Sequence, residues 1–344
     1  MKSLLLTPTF FPKLTGNAVT VHRIAEQLTQ AGITCKILNL SCMKEKTLIK
    51  DSASFEPDII HNFHAWKSGP CGLKIKKTFG IPMITTMTGT DVNIDIKTPE
   101  KKEVIGKVLD HSDVITVFNE QARAILLKQG RWNGKIAVIH QSVLVPAPSE
   151  LDYRKVLQID PETTVFLLLG AIRRIKNFSY AIHVLERVKK IFPQILLIIA
   201  GPVIEPDEFT RLGNLIRGEK WITYIGEVPR ENIASLLTSV DVVLNTSDAE
   251  SESNTILEAL SFGKIVIGRA IAGNSSILTK QTGFTFNNRW ECCESVIYVL
   301  SHLGPLDNIV QQAKRCVEEI FNFTREQAGY LPQSQTYLKI FIAP

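Results

Sequence analysis

The sequence predicts an α/β protein made of two doubly wound parallel sheets in tandem, and three observations carry that reading. The chain has 344 residues, more than the roughly 100–200 of one typical domain. Short apolar runs alternate with helix-period segments from end to end, the pattern of parallel strands joined by crossover helices. The alternation breaks once, over 143–161, where Pro146, Pro148 and Asp160-Pro161 interrupt it, and then restarts. The break divides the chain into domains of 1–145 and 146–322. Two such sheets facing each other would put a ligand beyond the carboxyl ends of their strands, in a shared cleft.

Each element has its own signal. Ser3–Leu6 is a short apolar run, followed by a helical pattern over 18–31 with Val21, Ile24, Ala25, Leu28 and Ala31 at three- and four-residue steps. Gly32 stops that helix. Strands are expected at Thr34–Leu38, Asp58–His61, Pro82–Thr86, Val114–Val117 and Ile136–Ile139. After the break they are expected at Val165–Leu169, Gln194–Ala200, Ile222–Tyr224, Val242–Leu244, Ile265–Ile267 and Gly283–Phe286, with helices such as Ser179–Phe192 and Asn254–Phe262 between them.

Composition removes several classes. With 44% hydrophobic and 21% charged residues the chain is neither disordered nor collagen-like. No apolar run approaches the ~18 residues of a membrane span, and Met1–Leu6 is too short for a secretory signal. The six cysteines lack metal-ligand spacing beyond the adjacent pair Cys292-Cys293, so reduced thiols in a cytoplasmic protein are expected, with no metal site. A net charge of +5 is too small to indicate nucleic acid, and none is expected as a partner.

Three stretches suit chemistry at strand ends. Thr15-Gly16-Asn17 precedes the first helix, where glycine lets backbone approach a ligand and a helix start offers N–H groups to an anion. Alone, one glycine specifies only a turn. Gly170 ends a strand and is followed by Arg173, Arg174 and Lys176, cations suited to a diphosphate. The most specific stretch runs from Asn245 to Leu260. In it Glu250 precedes a helix start at Ser253-Asn254-Thr255 and Glu258 lies about one turn inside. Two carboxylates so placed can reach different parts of one ligand.

At these residues the chain resembles the retaining GT-B glycosyltransferases of glycosyltransferase family 4. Glu250 to Glu258 is similar to that family's Glu-x₇-Glu signature, and Gly170 to Lys176 to its glycine–basic–lysine loop. Ile199-Ala200-Gly201-Pro202, Ile225-Gly226-Glu227 and Thr15-Gly16-Asn17 match as well. Gly16-Asn17-Ala18-Val19-Thr20, Thr88-Gly89-Thr90-Asp91 and Ile172–Asn177 resemble the glycosyltransferase 1 domain-containing protein 1 group, and also the bacterial selenosugar synthases.

The resemblance implies a metal-independent transferase, with no cofactor, moving a sugar from a nucleotide diphosphate donor, by default a UDP-sugar, to an unspecified acceptor. Glu258 would take the ribose hydroxyls and Glu250 those of the donor sugar. Arg173 and Lys176 would neutralise the departing diphosphate. Gly16, Asn17, Gly170, Gly201, Gly226, Ser253, Asn254 and Thr255 would line the donor site. The second domain would bind the donor and the first the acceptor, with Thr88, Gly89 and Asp91 on the acceptor side. A last helix over 323–344 would return to the first domain.

The chain also departs from the family. Thr88 stands where many members have histidine, Ala171 where a basic residue follows the glycine, and Ser276 where glutamate is frequent. Among the histidines near the first sheet, His64 is the catalytic candidate and His61 its neighbour on the strand. Two rival readings follow: a selenium or sulfur nucleophile in place of an alcohol acceptor, and a nucleotide-sugar-binding protein without activity. The positive surplus lies wholly in residues 1–150, around Lys67, Lys74, Lys76 and Lys77 and around Lys97, Lys101, Lys102 and Lys107. Such lysines form an ordinary solvated face, or attract an anionic acceptor or an anionic membrane surface to the first domain.

Overall fold

The computed structural model describes residues 1–12, 15–144, 146–302 and 306–331, with the side chains of 45 and 46 left out. It divides into two compact units, Met1–Ser142 with Asn322–Pro344, and Val143–Phe321.

The first unit is built on a six-stranded parallel sheet of order β2-β1-β3-β4-β5-β6. Its strands are β1 (Lys2–Thr7), β2 (Thr34–Asn39), β3 (Ile59–Phe63), β4 (Met83–Thr86), β5 (Val114–Val117) and β6 (Ile136–Val138). The second unit repeats the plan in the order β12-β11-β10-β7-β8-β9. There the strands are β7 (Thr164–Leu169), β8 (Ile195–Ala200), β9 (Ile222–Tyr224), β10 (Val242–Asn245), β11 (Ile265–Arg269) and β12 (Phe284–Phe286). All twelve strands expected from the sequence form, with ends moved by a residue or two.

Burial on both faces explains why these strands read as continuous apolar runs rather than alternating ones. In β7, Phe166 and Leu168 enter one core cluster, while Val165 and Leu167 enter the cluster on the opposite face. Side chains of successive strand residues point to opposite faces, so each run feeds both layers. In β1, Leu4 and Leu6 face one layer and Leu5 the other.

The first helix, Gly16–Gln30, starts two residues earlier than its apolar period suggests, because the Thr15 side chain accepts from the Ala18 N–H and caps it. Ala31 is its exposed C-cap and not part of the buried stripe, whereas Arg23 and Gln27 are buried there. A helical segment over 323–331 packs on this helix. Glu326 accepts from Arg23 at 2.8 and 2.9 Å, from Gln27 at 2.7 Å and from Ser142 at 2.5 Å. The remainder of the expected last helix, 332–344, lies outside the described residues. Among the described residues no helix is long and apolar enough to cross a membrane.

Candidate active site

In the second unit, three strand ends converge through glycine. Gly170, Gly201 and Gly226 follow β7, β8 and β9 at φ of 152°, 146° and 80°, values that side-chain-bearing residues rarely adopt. The Gly170 N–H donates to Ala200 O at 2.9 Å and the Gly201 N–H to Gly226 O at 2.8 Å. A Cβ on Gly201 would stand 2.0 Å from the Gly170 carbonyl oxygen. The sequence requires glycine there because two main chains touch.

Beyond Gly170 the basic loop turns through a short 3-10 helix, Arg174–Lys176. Lys176 folds back over Gly170 and its Nζ pairs with Glu250 at 2.5 Å. Arg173 leans toward Glu205, Nε to Oε1 at 3.4 Å, and the Arg174 N–H donates to the same carboxylate at 2.8 Å. The loop after β10 is stitched to this basic loop. The Asp248 N–H donates to Ile175 O at 2.9 Å, and the Thr246 hydroxyl to the Lys176 carbonyl at 3.1 Å. Glu250 also accepts from the Ser247 hydroxyl at 2.7 Å.

The helix Asn254–Ser261 begins at Ser253, which gives it no side-chain cap. Instead the Ser253 hydroxyl accepts from the Asn245 amide at 3.1 Å. The Thr255 hydroxyl donates to Leu169 O at 3.3 Å, tying the helix start to the end of β7. An uncapped helix start is suited to an anion. Glu258 is buried inside that helix, where Arg230 donates to it while also reaching the Leu144 carbonyl.

In the first unit Asn17 donates to the Thr7 hydroxyl at 2.6 Å, which draws the start of the first helix onto the end of β1. Gly16 is the first residue of that helix. Thr88 and Gly89 follow β4, and Gly89 at φ 127° opens the short helix Thr90–Asn93. Asp91 is fully buried and holds two loops together. It accepts from the Ala65 N–H at 2.9 Å, the Gly89 N–H at 3.0 Å and the Val92 N–H at 3.1 Å.

His64, expected as a loop histidine available to a substrate, is only 4% exposed. Its ring lies 3.0 Å from the Thr90 hydroxyl and 3.7 Å from both Asp91 and Asp95. Burial lowers its pKa, against the pull of the two carboxylates. His61 is buried against Phe63 and Tyr330, and loss of solvation takes its pKa down to about 3. Lys76, Lys101 and Lys107 each pair with a carboxylate, Asp113, Asp95 and Glu103 respectively. Among the described residues no three His, Cys, Asp or Glu side chains are placed to share a metal ion.

Residues 149–315, most of the second unit, match the family described as Glycosyl transferases group 1. That match takes in just under half of the chain. Over nearly its full length it is 26% identical to the glycosyltransferase 1 domain-containing protein 1 of Xenopus tropicalis, covering 92% of this chain and 93% of that protein. Its fold superposes on the sucrose-phosphate synthase of Thermosynechococcus elongatus with a TM-score of 0.83, 17% identity and 100% of each chain covered. It also superposes on Anabaena HepE, solved with UDP and glucose, with a TM-score of 0.80, 16% identity, and 98% and 100% covered. The architecture is that of a GT-B protein, with two Rossmann-like units.

Within the matched residues, the structure gathers Gly170, Lys176, Glu250, Ser253 and Thr255 on interlocked loops, with Glu258 one turn further along the helix. Sequence reasoning missed Arg230 and Gly273, and gave Asn245 and Ser247, inside its most specific stretch, no role of their own. Arg230 carried a signal, a basic residue shortly after the strand-end Gly226. Gly273 is required because a Cβ there would lie 2.1 Å from Ser251 O and 2.5 Å from Glu250 O. The glycine thus lets the Glu250 loop settle, a long-range demand that spacing alone does not reveal.

Proposed function

We propose that the protein is a retaining glycosyltransferase of glycosyltransferase family 4 that moves a sugar from a UDP-sugar to an acceptor. The observation that carries this reading is the Lys176–Glu250 pair: a partly exposed cation and carboxylate on interlocked loops at the carboxyl ends of β7 and β10. In the free protein each holds the other in place. When donor binds, Lys176 turns to the diphosphate and Glu250 accepts hydroxyls of the sugar. Glu258, oriented by Arg230, accepts the ribose hydroxyls, and the start of the helix Asn254–Ser261 faces phosphate oxygens.

In the transfer, the bond from the sugar's anomeric carbon to the diphosphate oxygen breaks and its electron pair leaves with the diphosphate. The acceptor atom bonds to the same face of that carbon, and its proton passes to the departing oxygen. Arg173 and Lys176 offset the charge that develops, so the reaction is written without a metal ion. The six cysteines are free thiols, the state a reducing compartment maintains, and the cytoplasm is the proposed location.

A thermal-shift panel of nucleotide diphosphate sugars, followed by turnover, tests the reading. UDP and at least one UDP-sugar raise the melting temperature, because a ligand of the folded state stabilises it. Glu250→Gln keeps UDP affinity within a few-fold and loses about 10²–10³ in turnover, whereas Lys176→Ala loses both. No shift with any nucleotide sugar, or full turnover in Glu250→Gln, overturns the assignment.

A further inference from the structure

We propose that Thr90 is the residue through which the first unit meets an oxygen of the acceptor, and that His64 is its positioning residue, fixing the threonine hydroxyl as a hydrogen-bond donor. The inference rests on the transferase reading for the identity of the ligand, but its geometry stands by itself.

His64 has φ 78°, in the left-handed region that is unfavourable for a non-glycine residue. Such a conformation persists only where the surroundings over-determine it, and here they do. The His64 N–H donates to Thr86 O at 2.9 Å, and its carbonyl accepts from the Ser68 N–H at 3.1 Å and the Ser68 hydroxyl at 2.9 Å. The next residue, Ala65, is held by the buried Asp91 carboxylate. The loop after β3 and the loop after β4 are thereby locked as one piece, and the lock aims the imidazole at Thr90.

The ring's proton can be placed. The Lys67 main-chain N–H lies 3.3 Å from Nδ1 and donates to it, so Nδ1 is the acceptor nitrogen. A neutral ring must then carry its proton on Nε2, which is 3.0 Å from the Thr90 oxygen. Burial keeps the ring toward its neutral form; Lys67 adds to that, while Asp91 and Asp95 act against it. Asp95 is in turn engaged by Lys101 at 2.6 Å. Because Thr90 Oγ1 accepts from His64, the threonine's own proton is directed elsewhere. Thr90 is only partly buried, so that proton can reach a ligand. The pair therefore presents a donor that selects a substrate oxygen with a free lone pair and disfavours a second donor. Thr88, two residues earlier, has no comparable partner to fix its proton among the bonds seen.

Two measurements on the full chain test this. Histidine ¹⁵N NMR at pH 7.5, with the His64 signals assigned by their loss in His64→Gln, is expected to show a neutral Nε2–H ring whose shift moves in Thr90→Val. An Nδ1–H ring, or an imidazolium, overturns the role of His64 while leaving the transferase reading intact. UDP-glucose hydrolysis, with water as the acceptor, is the second measurement. Thr90→Val and His64→Gln are expected to lose about tenfold in kcat at unchanged UDP affinity, and Thr90→Ser to recover most of it. Wild-type kcat in Thr90→Val overturns the acceptor contact. UDP binding with no hydrolysis of any UDP-sugar of the thermal-shift panel in the wild type sinks the transferase reading and that contact together.

Discussion

Gly201 and Gly213 are the same residue type with opposite demands placed on them. At Gly201 a methyl group would meet the Gly170 carbonyl at 2.0 Å, at a φ of 146°. At Gly213, inside the helix Pro206–Ile216, nothing lies within 4 Å of the same methyl. Gly213→Ala is therefore expected to raise stability by roughly 0.5–1 kcal/mol through helix propensity. Gly201→Ala is expected to lower it by about 3 kcal/mol or more and to weaken UDP binding, since the β7 and β8 ends must part. Urea midpoints of the two variants check both signs. At this scale the sequence was legible where a motif reports a backbone constraint, as at Gly170, Gly201 and Gly226. It was illegible where one side chain serves several distant partners. Asn245 donates to Ser253 and accepts from the Ser247 N–H and from Asn274, and no local pattern marks such a residue.

Between the helix Gly16–Gln30 and the segment 323–331 the contact is polar at its centre. Arg23 and Glu326 pair with almost no solvent exposure, and Gln27, Gln141 and Ser142 complete the bonding. Apolar periodicity announced Val21, Ile24 and Leu28 as the buried stripe, but could not announce a buried arginine on the same helix. Its partner lies some three hundred residues away. Breaking a buried pair strands the remaining charge, which costs about 3–5 kcal/mol. Glu326→Ala is expected to lose that much in urea unfolding. Arg23→Met combined with Glu326→Met should recover most of it, because neither charge is then left alone. A double variant as unstable as Glu326→Ala would show that the pair sustains the packing in some other way.

Across the whole molecule, the two buried histidines make stability depend on pH. His61 has its pKa taken from 6.5 to about 3, and that of His64 is also lowered. The unfolded chain therefore takes up these protons before the folded one. Stability is complete above about pH 6.5 and falls as the pH drops below it, by up to about 1.4 kcal/mol per pH unit for each histidine. The urea midpoint should decline between pH 6.5 and 5, and His61→Gln should flatten the decline; an unchanged slope would refute the role of burial. The two-sheet architecture was readable because strands such as β1, β7, β8, β10 and β11 are apolar on both faces, whereas the burial of His64 depends on a loop closing through Asp91, which spacing does not encode. Synthesis order adds a final constraint. The ends of the second unit meet where the Val143 N–H donates to Phe321 O at 3.0 Å, and Glu326 and Tyr330 of the first unit follow it in the chain. As the ribosome adds about 5–20 residues per second, Arg23 and Gln27 wait on the order of ten seconds or more for Glu326 to emerge. A nascent first unit thus carries an open, charged seam while the second unit is already complete, and a chain truncated before residue 322 would hold a finished second unit and a first one that cannot close.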